Sequence, residues 1–247
     1  MTFRLPPYPY DRLDGLAKLA DAHPGGMVDC SIGTPCDPPA PAVVEALASS
    51  DTERGYPASA GSMALREAGA AWLVRRFGLG ENAVPASSVA ACVGTKEFVA
   101  AVPHLLRLRT PDRDTVLYPA VSYPTYALGA ELAGCRAVAI PPPPGRSGGL
   151  DLGAVEAADA ARALLLWSNS PSNPTGGLGD LGSEATWGRA NGVPVFSDEC
   201  YAAFTWEGAP RSVLQHGPEG VVAVHSLSKR SNPVSYTHLT LPTTERV

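Results

Sequence analysis

Six kinds of side chain recur where short apolar runs give way to turns, and each could do chemistry there. "VVAVHSLSK" delivers Lys229 behind a β-branched run, between the hydroxyls of Ser226 and Ser228. An amine held at the end of a buried strand is a candidate nucleophile, whereas a lone surface lysine is a solvated charge. "VPVFSDECY" places Asp198 directly after another apolar run, where a carboxylate is costly to desolvate unless it meets a cation. Tyr201 follows three residues later with a phenol. "WSNSPSNPTGG" carries Asn173 between turn residues, "AVSYPTYALGA" offers Tyr123 with Tyr126 beyond it, and "ACVGTKEF" passes through Gly94, Thr95 and Lys96 into a helical stretch. Free amides at such a helix start suit a phosphate.

Taken singly, each also reads as ordinary structure: Gly94 as a turn, Tyr123 as core packing, Asn173 as part of a pair of turns. Taken together they supply a phosphate cradle, a ring stacker, an amide, a carboxylate, a phenol and an amine. Pyridoxal phosphate is a cofactor that uses all of these: lysine holds it covalently, and an acid keeps its ring nitrogen protonated so that the ring can accept electrons.

The elements that must position these residues follow from periodicity. Apolar runs at 88–93, 115–118, 136–140, 163–167, 193–196 and 221–225 read as strands. Helical stretches at 62–77, 96–108, 126–133 and, weakened by glycine, 183–190 lie between them. Strands alternating with helices predict an α/β fold, three-layered with a mostly parallel sheet, whose ligands gather at the strands' carboxyl ends. "PPPPGRSGG" at 141–149 is a connection too short to link domains, and the Pro-rich opening at 5–10 reads as an extended arm.

Composition excludes several classes. The 247 residues carry 19 basic and 24 acidic side chains, a net charge of −5, without a basic run, so a nucleic-acid partner is not indicated. No stretch approaches the roughly 20 apolar residues that span a bilayer, and the opening lacks the pattern of a secretory signal. Cys30, Cys36, Cys92, Cys135 and Cys200 lack metal-ligand spacing and read as reduced thiols, which implies a cytoplasmic protein and no metal.

From Asp29 to Asn232 the chain resembles the class I/II aminotransferases of the fold type I pyridoxal phosphate enzymes. "SNSPSNPTG", "SDECY" and "SLSKRSN" carry the resemblance, with 25 residues from Asn173 to Asp198 and 31 from Asp198 to Lys229. The resemblance implies that Lys229 binds the cofactor covalently and moves the proton at the substrate α-carbon, and that Asp198 pairs with the pyridine nitrogen. It implies that Asn173 and Tyr201 bond the ring's 3′-oxygen and that Tyr123 stacks on the ring. Gly94, Thr95 and Lys96 amides with Ser226 would bind the phosphate, with Ser228 in the same turn. Gly33 in "SIGTP" would lie near the substrate carboxylate, and Tyr56 in "GYPASAGS" would reach the phosphate of a partner subunit, implying a homodimer.

Within that family, "LPPYPYDRL", "HPGGMVDCSIGTP", "GSMALREA" and "HSLSKRSN" resemble the actinobacterial type of succinyldiaminopimelate aminotransferase. That implies amino transfer between N-succinyl-diaminopimelate and 2-oxoglutarate, toward diaminopimelate and lysine. Other aminotransferases, for aspartate or aromatic amino acids, and carbon–sulfur lyases would share the cofactor residues. A regulatory domain that senses the cofactor is the alternative from another class, and the short stretch before Asp29 leaves no room for a DNA-binding module on that side.

The closing text departs from the family's pattern. An arginine eight residues after the lysine is expected to clamp the phosphate, and Thr237 stands there. "VSYTHLTLPT" resembles translated sequencing-adapter text. The expected organisation is an N-terminal arm at 1–28, an incomplete cofactor-binding large domain at 29–232 and an artefactual tail at 233–247, with the small C-terminal domain missing. As written, the chain is expected to transaminate little.

Overall fold

A computed structural model describes residues 9–31, 33, 37–49, 56 and 58–231. The expectations for the tail at 233–247 lie outside the described residues. The chain divides into two compact units, residues 1–37 and 38–247. In the first, a 3-10 turn at Pro9–Leu13 leads into α1, Asp14–Asp21.

The second unit is built on a five-stranded sheet of β1 (Thr115–Pro119), β2 (Arg136–Ile140), β3 (Ala163–Asn169), β4 (Val195–Asp198) and β5 (Val221–Val224), in the order β2-β1-β3-β4-β5. Every pairing is parallel. The helices of this unit are α2 (Pro41–Ala48), α3 (Met63–Phe77), α4 (Thr95–Arg109), α5 (Thr125–Leu132), α6 (Ala157–Arg162), α7 (Leu181–Asn191) and α8 (Leu227–Arg230).

Alternation along the strands divides the core into two layers, because successive side chains point to opposite faces. Val116, Leu165, Trp167 and Phe196 pack with Val99 and Val102 of α4 and with Tyr126 and Ala130 of α5. Leu117, Leu166 and Val195 pack on the other face with Ile140, Val193 and Trp187 of α7. Every residue of β3 is buried, as expected of a central strand covered on both faces. The three-layer α/β/α expectation is therefore met.

Close helix packing explains the glycine in α7 that weakens its helical signal. A Cβ on Gly188 would stand 2.7 Å from the Val193 carbonyl oxygen, so only glycine lets α7 lie this near the start of β4. The packing gain offsets glycine's helical penalty of about 1 kcal/mol.

The expected strand at 88–93 is corrected. Residues 86–88 form a 3-10 turn, and 89–93 join no sheet. Arg66 of α3 donates through Nε to the carbonyls of Ala86 (3.0 Å) and Val89 (2.8 Å), and Ala91 N–H donates to Ala60 O at 3.0 Å. The backbone groups that a strand would spend on a ladder are thus partly spent on α3 and the turn before it.

Candidate functional site

The parallel register brings Asn169, the last residue of β3, beside Asp198, the last of β4, and Asp198 beside Val224 of β5. Three strand ends therefore open on one edge, where ligands gather in such sheets.

Asp198 is 9% exposed. Its Oδ2 accepts a 2.8 Å hydrogen bond from the Tyr126 phenol, and its Oδ1 accepts from the Cys200 N–H at 3.2 Å. Both donors are neutral, and no lysine or arginine forms an ion pair with this carboxylate among the described residues. A desolvated carboxylate so placed suits a protonated ring nitrogen, whose charge and N–H it can satisfy together. Burial, and then the Asp198 charge, push the Tyr126 phenol well above its ordinary pKa, so it stays a donor. The Cys200 thiol is pushed up by the same two causes.

Asn169 joins the carboxylate to the turn beyond β3. Its amide donates to the Asp198 carbonyl at 2.9 Å, and its Oδ1 accepts from Asn173 N–H at 2.7 Å. The Asn173 amide in turn reaches the Tyr201 hydroxyl at 3.4 Å. Asn173 and Tyr201 thus face each other at this edge.

The expected phosphate cradle falls at the start of α4. Gly94 occupies its N-cap with φ 77° and ψ 145°, a conformation that disfavours any residue with a Cβ, and no side chain caps the first turn. The amides of Thr95 and Lys96 lie in the first turn of α4, the end of a helix that favours an anion, and the Lys96 side chain is exposed. The Cys200 thiol lies 3.6 Å from Thr95 Oγ1, tying this helix start to the strand end that carries Asp198.

Beyond β5, Ser226 Oγ accepts from Ser228 N–H at 3.1 Å and caps α8. Ser228 is buried and Lys229 half-buried in that helix. Tyr123 is partly buried against the helix-side core. Tyr56 stands fully exposed, and Gly33 belongs to the first unit.

Sequence reasoning missed three supports of this edge. Tyr126 reads as a second aromatic of "SYPTY", and only the turn of α5 aims its hydroxyl at Asp198. Asn169 could have been found as an amide closing β3. Glu199, 1% exposed, accepts on Oε1 from Ser197 Oγ (2.9 Å) and Val213 N–H (2.7 Å), and its Oε2 lies 3.2 Å from His225 Nε2. The His225 ring packs between Trp72 and Phe77, 5.2 and 5.5 Å from their centroids. This buried contact braces β4 against β5.

The cysteines at 30, 92, 135 and 200 are free thiols. Among the described residues no group of His, Cys, Asp and Glu could hold a metal ion, and no helix is long and apolar enough to cross a membrane.

Residues 26–232 match the family model for aminotransferase class I and II. A probable aminotransferase of Mycobacterium tuberculosis is 43% identical over 94% of this chain and 54% of its own length. The 4-dedimethylamino-4-oxo-anhydrotetracycline transaminase of Streptomyces rimosus is 39% identical over 94% of the chain and 62% of its own. Among solved structures, the probable N-succinyldiaminopimelate aminotransferase of Thermus thermophilus superposes with a TM-score of 0.77 at 31% identity, covering 92% of this chain and 62% of that one. The chain thus spans between half and two thirds of the length of these relatives.

Proposed function

We propose, for a chain that belongs to the class I and II aminotransferase family, that it contributes the cofactor site of an enzyme moving an amino group between an amino acid and a 2-oxo acid. That family and its fold depend on pyridoxal phosphate. When bound, the cofactor supplies an electron sink for the substrate α-carbon.

The chain's own residues would divide the remaining work. Asp198 keeps a proton on the ring nitrogen, and Tyr126 with the Cys200 amide keeps Asp198 in place. Asn173 and Tyr201 donate toward the ring's 3′-oxygen. Tyr123 offers a ring face for stacking, and the Thr95 and Lys96 amides with the Ser226 hydroxyl hold the phosphate. Lys229 is the amine that would bind the cofactor covalently and carry the proton at the substrate α-carbon. Gly33 would lie near the substrate carboxylate. The observation that carries this reading is the chain of hydrogen bonds from Tyr126 through Asp198 and Asn169 to Asn173 and Tyr201 at one strand-end edge.

The substrate pair favoured is N-succinyl-diaminopimelate and 2-oxoglutarate, in the synthesis of diaminopimelate and lysine. Support comes from the sequence resemblance and from a structural relative named for that substrate. A second reading, a different amino acceptor, is favoured by the relative named for a tetracycline intermediate. We further read the enzyme as a cytoplasmic homodimer in which Tyr56 reaches the phosphate of the partner subunit.

Purified protein supplied with pyridoxal phosphate, 2-oxoglutarate and a panel of amino donors tests this, with glutamate as the product measured. Glutamate formation fastest with N-succinyl-diaminopimelate supports the favoured pair. Preference for aspartate or an aromatic donor, or pyruvate release from a cysteine conjugate, moves the assignment within the family. Cofactor binding without any turnover accords with the expectation that the chain as written transaminates little.

A further inference from the structure

Both stems of the turn that carries Asn173 rest on one buried carboxyl. Glu184, from α7, is 1% exposed. Ser168, immediately before Asn169, donates its hydroxyl to Glu184 Oε2. Where the turn returns, a Cβ on Gly179 would stand 2.9 Å from Glu184 Oε1, so that oxygen lies against the backbone of the second stem. Gly179 N–H donates to Ser170 Oγ at 3.1 Å, closing the two stems on each other. Among the described residues, Glu184 Oε1 itself has no hydrogen-bond partner.

The stems pass their position to the site. Asn169 is the neighbour of Ser168 in β3 and holds both the Asn173 amide and the Asp198 carbonyl. A carboxyl carrying an unmet oxygen therefore sits one residue beneath the network that orients Asn173. Buried polar groups are ordinarily satisfied, so this exception calls for a reason.

We propose that Glu184 is a proton-sensitive positioning residue: the protonation state of its carboxyl sets how firmly the 169–179 segment holds Asn173, and through it the cofactor. The proposal rests on the reading of this edge as a pyridoxal phosphate site. The neutral acid is tolerated in this dry setting, whereas the carboxylate buries a charge with a single hydrogen-bond donor.

The surroundings bear this out group by group. Desolvation raises the Glu184 pKa from 4.5 to about 7, the Ser168 hydroxyl opposes that rise, Asp180 of the same helix adds to it, and Arg146 of the 141–149 connection opposes it. The 169–179 segment contributes no ionisable side chain, and Asp198 of β4 is held by Tyr126. His216 lies against Gly182, in the first turn of the same helix. Because the folded form keeps its proton between 4.5 and about 7 while the unfolded form loses it, stability falls as pH rises through that window and levels above it.

The test uses pyridoxal phosphate itself, titrated into apo-protein at several pH values either side of 7, with thermal unfolding of the apo-protein over the same range. Wild type should bind several-fold more weakly above the midpoint than below it. Glu184→Gln, which keeps a side chain of the same shape, should remove that step and the matching slope in apo stability. Ser168→Ala should move the step to higher pH, because it deletes the hydrogen bond that favours the charged form. Equal pH profiles for wild type and Glu184→Gln, in binding or in apo stability, overturn the proposal while leaving the cofactor site intact. Failure of both proteins to bind at every pH overturns the reading of the site, and this inference with it.

Discussion

The phenol of Tyr126, on α5, donates a 2.8 Å hydrogen bond to Oδ2 of Asp198, at the end of β4. The two residues lie 72 positions apart, so the contact depends on α5 packing across the sheet, where the Tyr126 ring lies 5.3 Å from that of Trp167. Tyr126→Phe keeps the ring and deletes the donor. Loss of a hydrogen bond to a buried carboxylate should lower stability by about 1–3 kcal/mol, read from denaturant unfolding. Pyridoxal phosphate affinity should fall in parallel, since the freed carboxylate is no longer aimed.

Asp198→Asn preserves shape and removes charge. An amide cannot hold a proton on the ring nitrogen, so turnover should fall by about 100-fold or more. The check is kcat for the preferred donor, together with circular dichroism to show an unchanged fold.

The turn holding Asn173 is locked from outside by the Pro-rich connection. A Cβ on Gly177 would come 2.5 Å from the Gly148 N, and one on Gly148 would come 2.5 Å from the Gly177 carbonyl carbon. Gly177→Ala should therefore cost about 1–3 kcal/mol through overpacking, and a fall in thermal midpoint measures it. A surface glycine with open space, such as Gly80, serves as the control.

Asp180 caps α7, accepting on Oδ1 from Ser183 N–H at 3.1 Å and on Oδ2 from Ser183 Oγ at 2.8 Å. These bonds hold its carboxyl below the usual pKa of 3.8. Its stabilisation is present above the unfolded-state pKa and is lost as pH falls through the lower folded value. Asp180→Ala should cost about 1 kcal/mol at neutral pH, a difference that closes in acid when unfolding is followed at several pH values.

The sheet was legible because a fully buried parallel strand writes itself as an unbroken apolar run, as at 163–167, and because the partly exposed edge strand Val221–Val224 is apolar as well. The same rule misread 88–93, whose apolar residues resemble a strand while Arg66 and Ala60 take part of its backbone hydrogen bonding. Asp198, Asn173 and Tyr201 were legible because strand-end turns expose their polar residues in sequence. Tyr126 and Glu184 were not, since each acts through a helix face whose direction is set only when the helix packs. Glu184 in particular lies in a stretch whose helical signal glycine weakens, yet it is buried.

The most direct measurement concerns the amine. The chain has three lysines, Lys18, Lys96 and Lys229. Protein incubated with pyridoxal phosphate, reduced with borohydride and digested for peptide mass mapping should carry the cofactor on Lys229, and Lys229→Ala should carry none. A cofactor fixed on Lys18 or Lys96 with Lys229 unmodified, or no adduct on any lysine, would contradict the account.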